Sequence, residues 1–402
     1  MYNTSAESLD GSQYDVVIVG GGIMGSACAY AIASKRPSLK ILLLEQFFFG
    51  HRRGSSHGSS RIIRLSYHES YYCRMMRKAF ELWASAENEA QARVITHTGG
   101  IDFVKKGTKM ETRLKEAMES AGVSFEELDT VEALQKKFPG FSMPAETHTC
   151  LYSKDAGVIN ASKACEMFQG LARSKGAHLC EDVKVEGVEF CRENGEINYV
   201  RTSKGQIMCK KIVFTAGPWN QKLLKKSFDL DLKMKPLNTT VAYWKCNDPK
   251  LYAAPHAPVF ITYQDDERCL NAYGTPAIEY PGLVKFCLHS GYEQDPDTRL
   301  CVPNLEDIES KLKDMTKTFL PHADASNHVI AEACMYTNTQ DENFVLDHLP
   351  GSKDVIIGAG FSGHGFKFAP LVGQILCDLA LGEKPEFSLE PFSIARFMKE
   401  GS

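Results

Sequence analysis

Gly20-x-Gly22-x-x-Gly25 stands directly after the β-branched run Tyr14–Val19 and directly before small and apolar residues at helical spacing. Glu45 follows at the end of a second apolar run that begins at Lys40. Each residue type has a task in such a unit. The first glycine allows a tight turn, the second lets backbone approach a pyrophosphate, the third lets helix and strand pack closely, and the carboxylate accepts from a ribose hydroxyl. The chemistry these residues announce is dinucleotide binding. A second glycine-rich turn, Gly358-Ala-Gly360-Phe-Ser-Gly363-His-Gly365, leads into another apolar helix. The N-terminus of a helix at that point suits negative charge on a reduced flavin ring. With the sheet completed by the remote segments Ile212–Trp219 and Val355–Gly365, it favours FAD over NAD, which the fingerprint alone does not separate.

Three further groups of residues are suited to chemistry. Arg61 and Arg64 flank an apolar pair in Gly54–Arg64, GSSHGSSRIIR, where Ser and Gly suggest a loop leaving the nucleotide domain, and a guanidinium suits planar recognition of a carboxylate. Lys285 and His289 lie four residues apart on an expected strand and so share a face, with Val284, Phe286 and Leu288 on the other. That spacing covers about 13 Å, comparable to a flavin tricycle. Tyr273 sits on the preceding strand. Polar residues of a half-exposed strand commonly face only solvent, so the pattern permits a site without requiring one. The thirteen cysteines, scattered from Cys28 to Cys377 with no CxxC pair, fit neither a disulfide framework nor a zinc site. A reducing compartment suits them, and no metal is expected.

The elements that must position these groups read as a strand-turn-helix-strand start and hence a parallel sheet with right-handed crossovers. Helices are expected over Thr108–Ala121, Thr130–Phe138, Ala161–Lys175, Asn304–Phe319 and about Pro370–Leu381, the last ended by Gly382. Strands are expected over Asp182–Val188, Met208–Thr215 and Asp354–Gly358, and alternating strand formers run from about Leu237 to Leu288. Residues 99–151 read as an insertion. The fold class expected is α/β: an FAD-binding, Rossmann-like doubly wound domain (14–98, 152–228 and 335–390) with a second α+β substrate domain on a mostly antiparallel sheet (99–151 and 229–334). The chain has 402 residues, 43% hydrophobic and 24% charged, with 46 Lys+Arg against 50 Asp+Glu. That is an ordinary globular composition without the basic blocks of a nucleic-acid partner. The charge-free run Val16–Ser34 is broken by Gly20, Gly21, Gly22 and Gly25 and does not read as a membrane span. The polar N-terminal thirteen residues lack the form of a secretory signal.

Beyond these local readings, the chain resembles the monomeric sarcosine oxidase family of FAD-dependent amine oxidases. The resemblance is carried in family order by LLLEQFF (Leu42–Phe48), GSSHGSSRIIR (Gly54–Arg64), TAGPW (Thr215–Trp219), EYPGLVK (Glu279–Lys285), CMYTNT (Cys334–Thr339) and IGAGFSGHGFK (Ile357–Lys367). It implies oxidation of a secondary amino acid to an imine, with electrons passed through FAD to oxygen and hydrogen peroxide released. Residue by residue, it implies covalent attachment of FAD through Cys334, which by itself would read as a small core residue. It implies Arg64 and Lys367 as ligands of the substrate carboxylate, Arg61 and His57 beside the flavin, Lys285 as the oxygen-activating group, and His289 and Tyr273 beside the substrate. Gly20, Gly22, Gly25, Glu45 and Gly363 remain the cofactor-binding set, while the side chain of His364 is expected to point away from the ring.

The resemblance further implies a monomer whose partners are a small amino acid and O2. It leaves open sarcosine, L-pipecolate or L-proline as substrate. Same-fold oxidases or dehydrogenases of other N-methylated or glycated amines stand as the alternative. Animal relatives are peroxisomal and end in a Ser-Lys-Leu type tripeptide, whereas this chain ends Lys399-Glu400-Gly401-Ser402. The expectation is a peroxisomal protein by resemblance and otherwise a cytoplasmic one.

Overall fold

The computed structural model describes residues 9–190, 198–263 and 270–398. The C-terminal tetrapeptide, on which the expected compartment turns, and the first eight residues of the N-terminal polar segment lie outside the described residues. The chain divides into two compact units, one formed by residues 1–56, 164–236 and 337–402, the other by residues 57–163 and 237–336.

In the first unit, Gln13–Val19 lies between Gly205–Phe214 and Ile41–Leu44 in parallel register, Val17 opposite Ile212 on one side and Leu42 on the other. Val355–Ala359 extends the parallel order beyond Gly205–Phe214, and His178–Cys180 extends it beyond Ile41–Leu44. Parallel strands are covered on both faces and therefore read as unbroken apolar runs, as all four residues of Ile41–Leu44 do here. An antiparallel pair, Val185–Phe190 and Asn198–Thr202, continues the sheet from the N-terminal half of Gly205–Phe214. The first of these begins later than the expected Asp182–Val188 because Asp182 has a left-handed backbone, φ 58°. The helices Ile23–Lys35 and Ala369–Leu381 pack on one another through Gly373. A Cβ there would stand 2.7 Å from the carbonyl carbon of Ala27 and 2.9 Å from the amide of Cys28. Lys35 meets Asp378 at 2.7 Å across the same pair.

In the second unit the main sheet runs, in spatial order, Gly291–Glu293, Lys235–Cys246, Leu283–Leu288, Leu270–Thr275, Val259–Tyr263, Gly100–Lys105, His148–Ser153 and Glu126–Leu128. Ala323–Asn338 also pairs with Lys235–Cys246. Every register that positions the site is antiparallel except Val259–Tyr263 with Gly100–Lys105. Residues 99–151, expected as an insertion, therefore supply three strands of this sheet, joined by helices Lys109–Ser120 and Val131–Lys137 whose N-caps Thr108 and Thr130 accept from the backbone. A separate three-stranded sheet pairs Arg61–Arg64 and Ile95–His97 with Ala156–Ile159. These pairings place residues 57–98 and 152–163 in the second unit, where the expected division had them in the nucleotide domain. The expected helix Asn304–Phe319 is a helical run whose middle, Ile308–Leu312, widens to π geometry. Among the described residues no helix is long and apolar enough to cross a membrane.

Replacing Gly373 by Leu forces the two helices apart against backbone atoms that cannot rotate away. Overpacking of this kind costs about 1–3 kcal/mol; thermal denaturation should show a lowered midpoint, and Gly373→Ala a smaller shift in the same direction.

Candidate active site

The glycine fingerprint of the first unit forms a cradle that side chains would fill. Gly20 has φ 105°, and a Cβ on it would stand 2.5 Å from the carbonyl oxygen of Thr215. A Cβ on Gly25 would fall onto the carbonyl oxygen of Gly20, while one on Gly22 would lie 2.9 Å from Ser56 Oγ. Gly22 caps helix Ile23–Lys35 without a side-chain bond of its own, and the amide of Ile23 donates to Ser56 Oγ at 3.1 Å. Glu45 accepts from the amides of Gly21 and Phe47, each at 3.0 Å. An ionised carboxylate offers about four lone-pair sites, so acceptor capacity remains for a hydroxyl. Bare backbone at a helix N-terminus beside a carboxylate fits a pyrophosphate and its ribose.

The second glycine-rich turn is equally tight. Gly360 and Gly363 have φ 60° and 74° and Ser362 shares that left-handed region at 46°. Ser362 Oγ accepts from the amide of Thr339 at 3.2 Å and donates to the carbonyl of Gly360 at 3.0 Å. His364 packs against Phe344, centroids 4.7 Å apart, and its Nε2 lies 3.1 Å from the carbonyl oxygen of Glu342. Lys367 is buried, with Nζ donating to the carbonyl of His364 at 2.8 Å.

In the second unit the two arginines lie on a strand, not on the expected loop, because the apolar pair between them is taken into the three-stranded sheet. Three residues apart on a strand, they leave it on opposite sides. Arg61 donates to the carbonyls of Ser60 and His57, each at 2.6 Å, and its Nη2 lies 3.8 Å from Cys334 Sγ. Burial alone would raise the Cys334 thiol. The Arg61 guanidinium, His57 beside the sulfur and the Met335 backbone together outweigh it and bring the thiol down to about 6. That direction favours the thiolate of Cys334, the form in which sulfur is nucleophilic.

Arg64 stacks over Tyr67, 4.4 Å from the ring centre, and bonds both the carbonyl and, at 3.0 Å, the hydroxyl of Ser66. Asp102 lies 3.9 Å from it and accepts from Tyr263 at 3.2 Å. Burial pushes the Asp102 carboxyl up, while Arg64 pulls the other way.

Lys285 stands directly across from Tyr243 on one side and Thr275 on the other. The expected alternation is present: Val284, Phe286 and Leu288 enter one apolar cluster, while Cys287 enters another with Tyr243 and Cys334. Lys285 is 5% exposed and donates to Ser60 Oγ at 3.0 Å and to Glu279 at 3.1 Å. Ser60 also donates to Glu279, closing a triangle. His289 follows the strand end, with Nδ1 3.2 Å from the Tyr336 hydroxyl, which in turn donates to Tyr273 at 3.4 Å. Burial pushes the hydroxyls of Tyr273 and Tyr336 well above the usual tyrosine range.

A family model described as FAD dependent oxidoreductase matches residues 15–379. The chain belongs to that family. It is 38% identical to the probable sarcosine oxidase of Arabidopsis thaliana, over 97% of this chain and 94% of that protein. It is 37% identical to the peroxisomal sarcosine oxidase of Homo sapiens, over 96% of this chain and 97% of that one. Among solved structures, the open form of NikD, an amino acid oxidase of nikkomycin biosynthesis, superposes with a TM-score of 0.81 at 22% identity, covering 95% of this chain and 97% of its own. That likeness is one of fold. The protein is thus an FAD-dependent oxidoreductase of the sarcosine oxidase group, and the glycine cradle with Glu45 fits the cofactor of the family.

Sequence reasoning did not single out Ser60, Asp102, Tyr243, Glu279 or Tyr336. Glu279 and Tyr336 lie inside the segments EYPGLVK and CMYTNT, and Asp102 is a charge in the otherwise apolar strand Gly100–Phe103. Those signals are local, but Ser60 meets Lys285 and Asp102 meets Tyr263 from segments far away in sequence. If Arg61 is what lowers the Cys334 thiol, thiolate absorbance near 240 nm in the flavin-free protein, taken as the difference from Cys334→Ser, should rise with a midpoint of about 6. Arg61→Met should move that midpoint upward past the ordinary value of 9.0.

Proposed function

We propose that the protein oxidises a secondary amino acid of the sarcosine or L-pipecolate class to its imine, with dioxygen reduced to hydrogen peroxide. The observation that carries this reading is the set of cations withdrawn from solvent, Arg64, Lys285 and Lys367 buried and Arg61 half-buried, in a chain similar over nearly its full length to enzymes named sarcosine oxidases. Bound FAD supplies the two-electron acceptor.

This chain's residues do the rest. Arg64 offers a planar pair of N–H donors to the substrate carboxylate, and Tyr67 beneath it and Asp102 beside it fix the orientation of that fork. Lys367 is the second carboxylate ligand in this reading. A substrate held by its carboxylate needs only to lose its ammonium proton to react, so no strong general base is required. The hydroxyls of Tyr273 and Tyr336, bonded to each other and on to His289, stay protonated and line the substrate side as donors rather than bases. Cys334, as a thiolate under Arg61, is the attachment point of FAD, with His57 completing its surroundings. Lys285 presents positive charge where oxygen gains its first electron. A monomeric state and a peroxisomal location belong to the same proposal, the latter carried by the name of the human relative.

Mixing the holoenzyme anaerobically with sarcosine, and separately with L-pipecolate, should bleach the visible flavin bands with one amine or both, and admitting air should restore them with peroxide formed. Yellow colour remaining in an acid-precipitated pellet would support the Cys334 linkage. Flavin that neither amine bleaches would move the substrate to a larger N-substituted amine. Arg64→Met should lower kcat/KM by roughly 10- to 100-fold, with an uncharged amine inhibitor less affected than a carboxylate-bearing one.

A further inference from the structure

The triangle of Lys285, Ser60 and Glu279 carries an inference that rests on the reading of Lys285 as the group at which dioxygen is reduced. Oxidation of a CH–NH unit to C=N releases two electrons and two protons, and dioxygen takes up two electrons and two protons to become hydrogen peroxide. The first electron makes an anion, which an ammonium stabilises strongly in a dry site and a neutral amine does not. Yet a lysine buried alone sheds its proton, because desolvation disfavours the charged form.

Glu279 meets this difficulty. Its side chain is 6% exposed, as is that of Lys285. Burial would raise its carboxyl, but Lys285, Ser60 and Tyr243 together hold it below the usual range, so it is an anion. Lysine has three N–H donors. Here one goes to Glu279 and one to Ser60, and the third has no hydrogen-bond partner among the described residues. The ring of Tyr243 lies 5.6 Å from Nζ. The other charged or titratable groups facing this pair are Arg61, which acts electrostatically on Glu279, Cys287 on the strand of Lys285, and Glu332, bonded to Tyr243 at 3.3 Å and Tyr280 at 2.8 Å. We propose that Glu279 is the positioning residue for Lys285: its carboxylate keeps the lysine an ammonium and, with Ser60, ties down two N–H bonds so that the third is presented to the reacting oxygen.

The test uses FAD-loaded wild type, Glu279→Gln, Glu279→Asp, Ser60→Ala and Lys285→Met. Each is reduced anaerobically by substrate and mixed with oxygenated buffer over the alkaline range, and the oxidised spectrum of each is recorded across the same range. In Glu279→Gln the lysine loses its countercharge, so its ammonium survives only at lower pH. Reoxidation should match wild type at the acid end and fall on the order of 100-fold as pH rises, while wild type stays level. The flavin spectrum of the variant should show a transition with the same midpoint, absent in wild type. Glu279→Asp should restore the wild-type profile, and Ser60→Ala should displace it in the same direction by less, which keeps the idea testable if Glu279→Gln does not fold. A Glu279→Gln or Ser60→Ala enzyme that is slower by one factor at every pH, with no spectral transition, would overturn the proposal. Lys285→Met reoxidised as fast as wild type would instead overturn the reading of Lys285 on which it rests.

Discussion

Taking a cation out of water costs several kcal/mol unless a countercharge or a set of acceptors replaces the solvent. The second unit of this protein does so repeatedly, and the arrangement of its strands follows from that need. Arg61 is met by two backbone carbonyls and the Cys334 sulfur, Arg64 by Ser66, Tyr67 and Asp102, and Lys285 by Ser60 and Glu279. Each cation has its own partner set, and no two sets share a carboxylate. Removing one partner would leave an uncompensated charge rather than a slightly weaker contact.

Sheet geometry makes these sets possible. A period of two sends neighbouring side chains to opposite faces, so one strand can serve a hydrophobic core and a polar cluster together. Leu283–Leu288 does this with Val284 and Phe286 on one side and Lys285 and Cys287 on the other. Arg61–Arg64 uses the same alternation to send one guanidinium to a cysteine and the next to an aspartate. Lys285 thus stands on a strand held by ladders on both sides, and Arg61 and Arg64 on one held against Ala156–Ile159, so their positions depend on register more than on loop conformation.

The parallel sheet of the first unit was legible because its signals are local: apolar runs, glycines at fixed spacing, and a carboxylate at the next strand's end. The face shared by Lys285 and Cys287 was legible for the same reason. What the sequence did not disclose was who meets whom. Glu279 is close to Lys285 in sequence, but Ser60 is not, and Asp102 reads as an oddity in an apolar strand until Arg64 is brought beside it. The placement of residues 57–98 was misjudged because short strands such as Ile95–His97 carry little periodicity. Residues 99–151 fall in the second unit as expected, but their three strands, which pair with one another and with Val259–Tyr263, are separated by helices that hide the pairing.

The parallel sheet has a further consequence for how the protein is made. Val17 pairs with Leu42 early, but its other partner is Ile212, and Ile212 pairs with Val355, so the first strand to leave the ribosome cannot complete its second ladder until half the chain has followed, and the sheet gains its Val355–Ala359 strand only near the end. Contacts of such long sequence separation form slowly. The strands of the second unit, by contrast, are all synthesised by Asn338. A nascent chain therefore carries the apolar strand Gln13–Val19 with at most one of its two ladders formed until Gly205–Phe214 has been made. This makes translation rate and chaperone access determinants of yield for the protein.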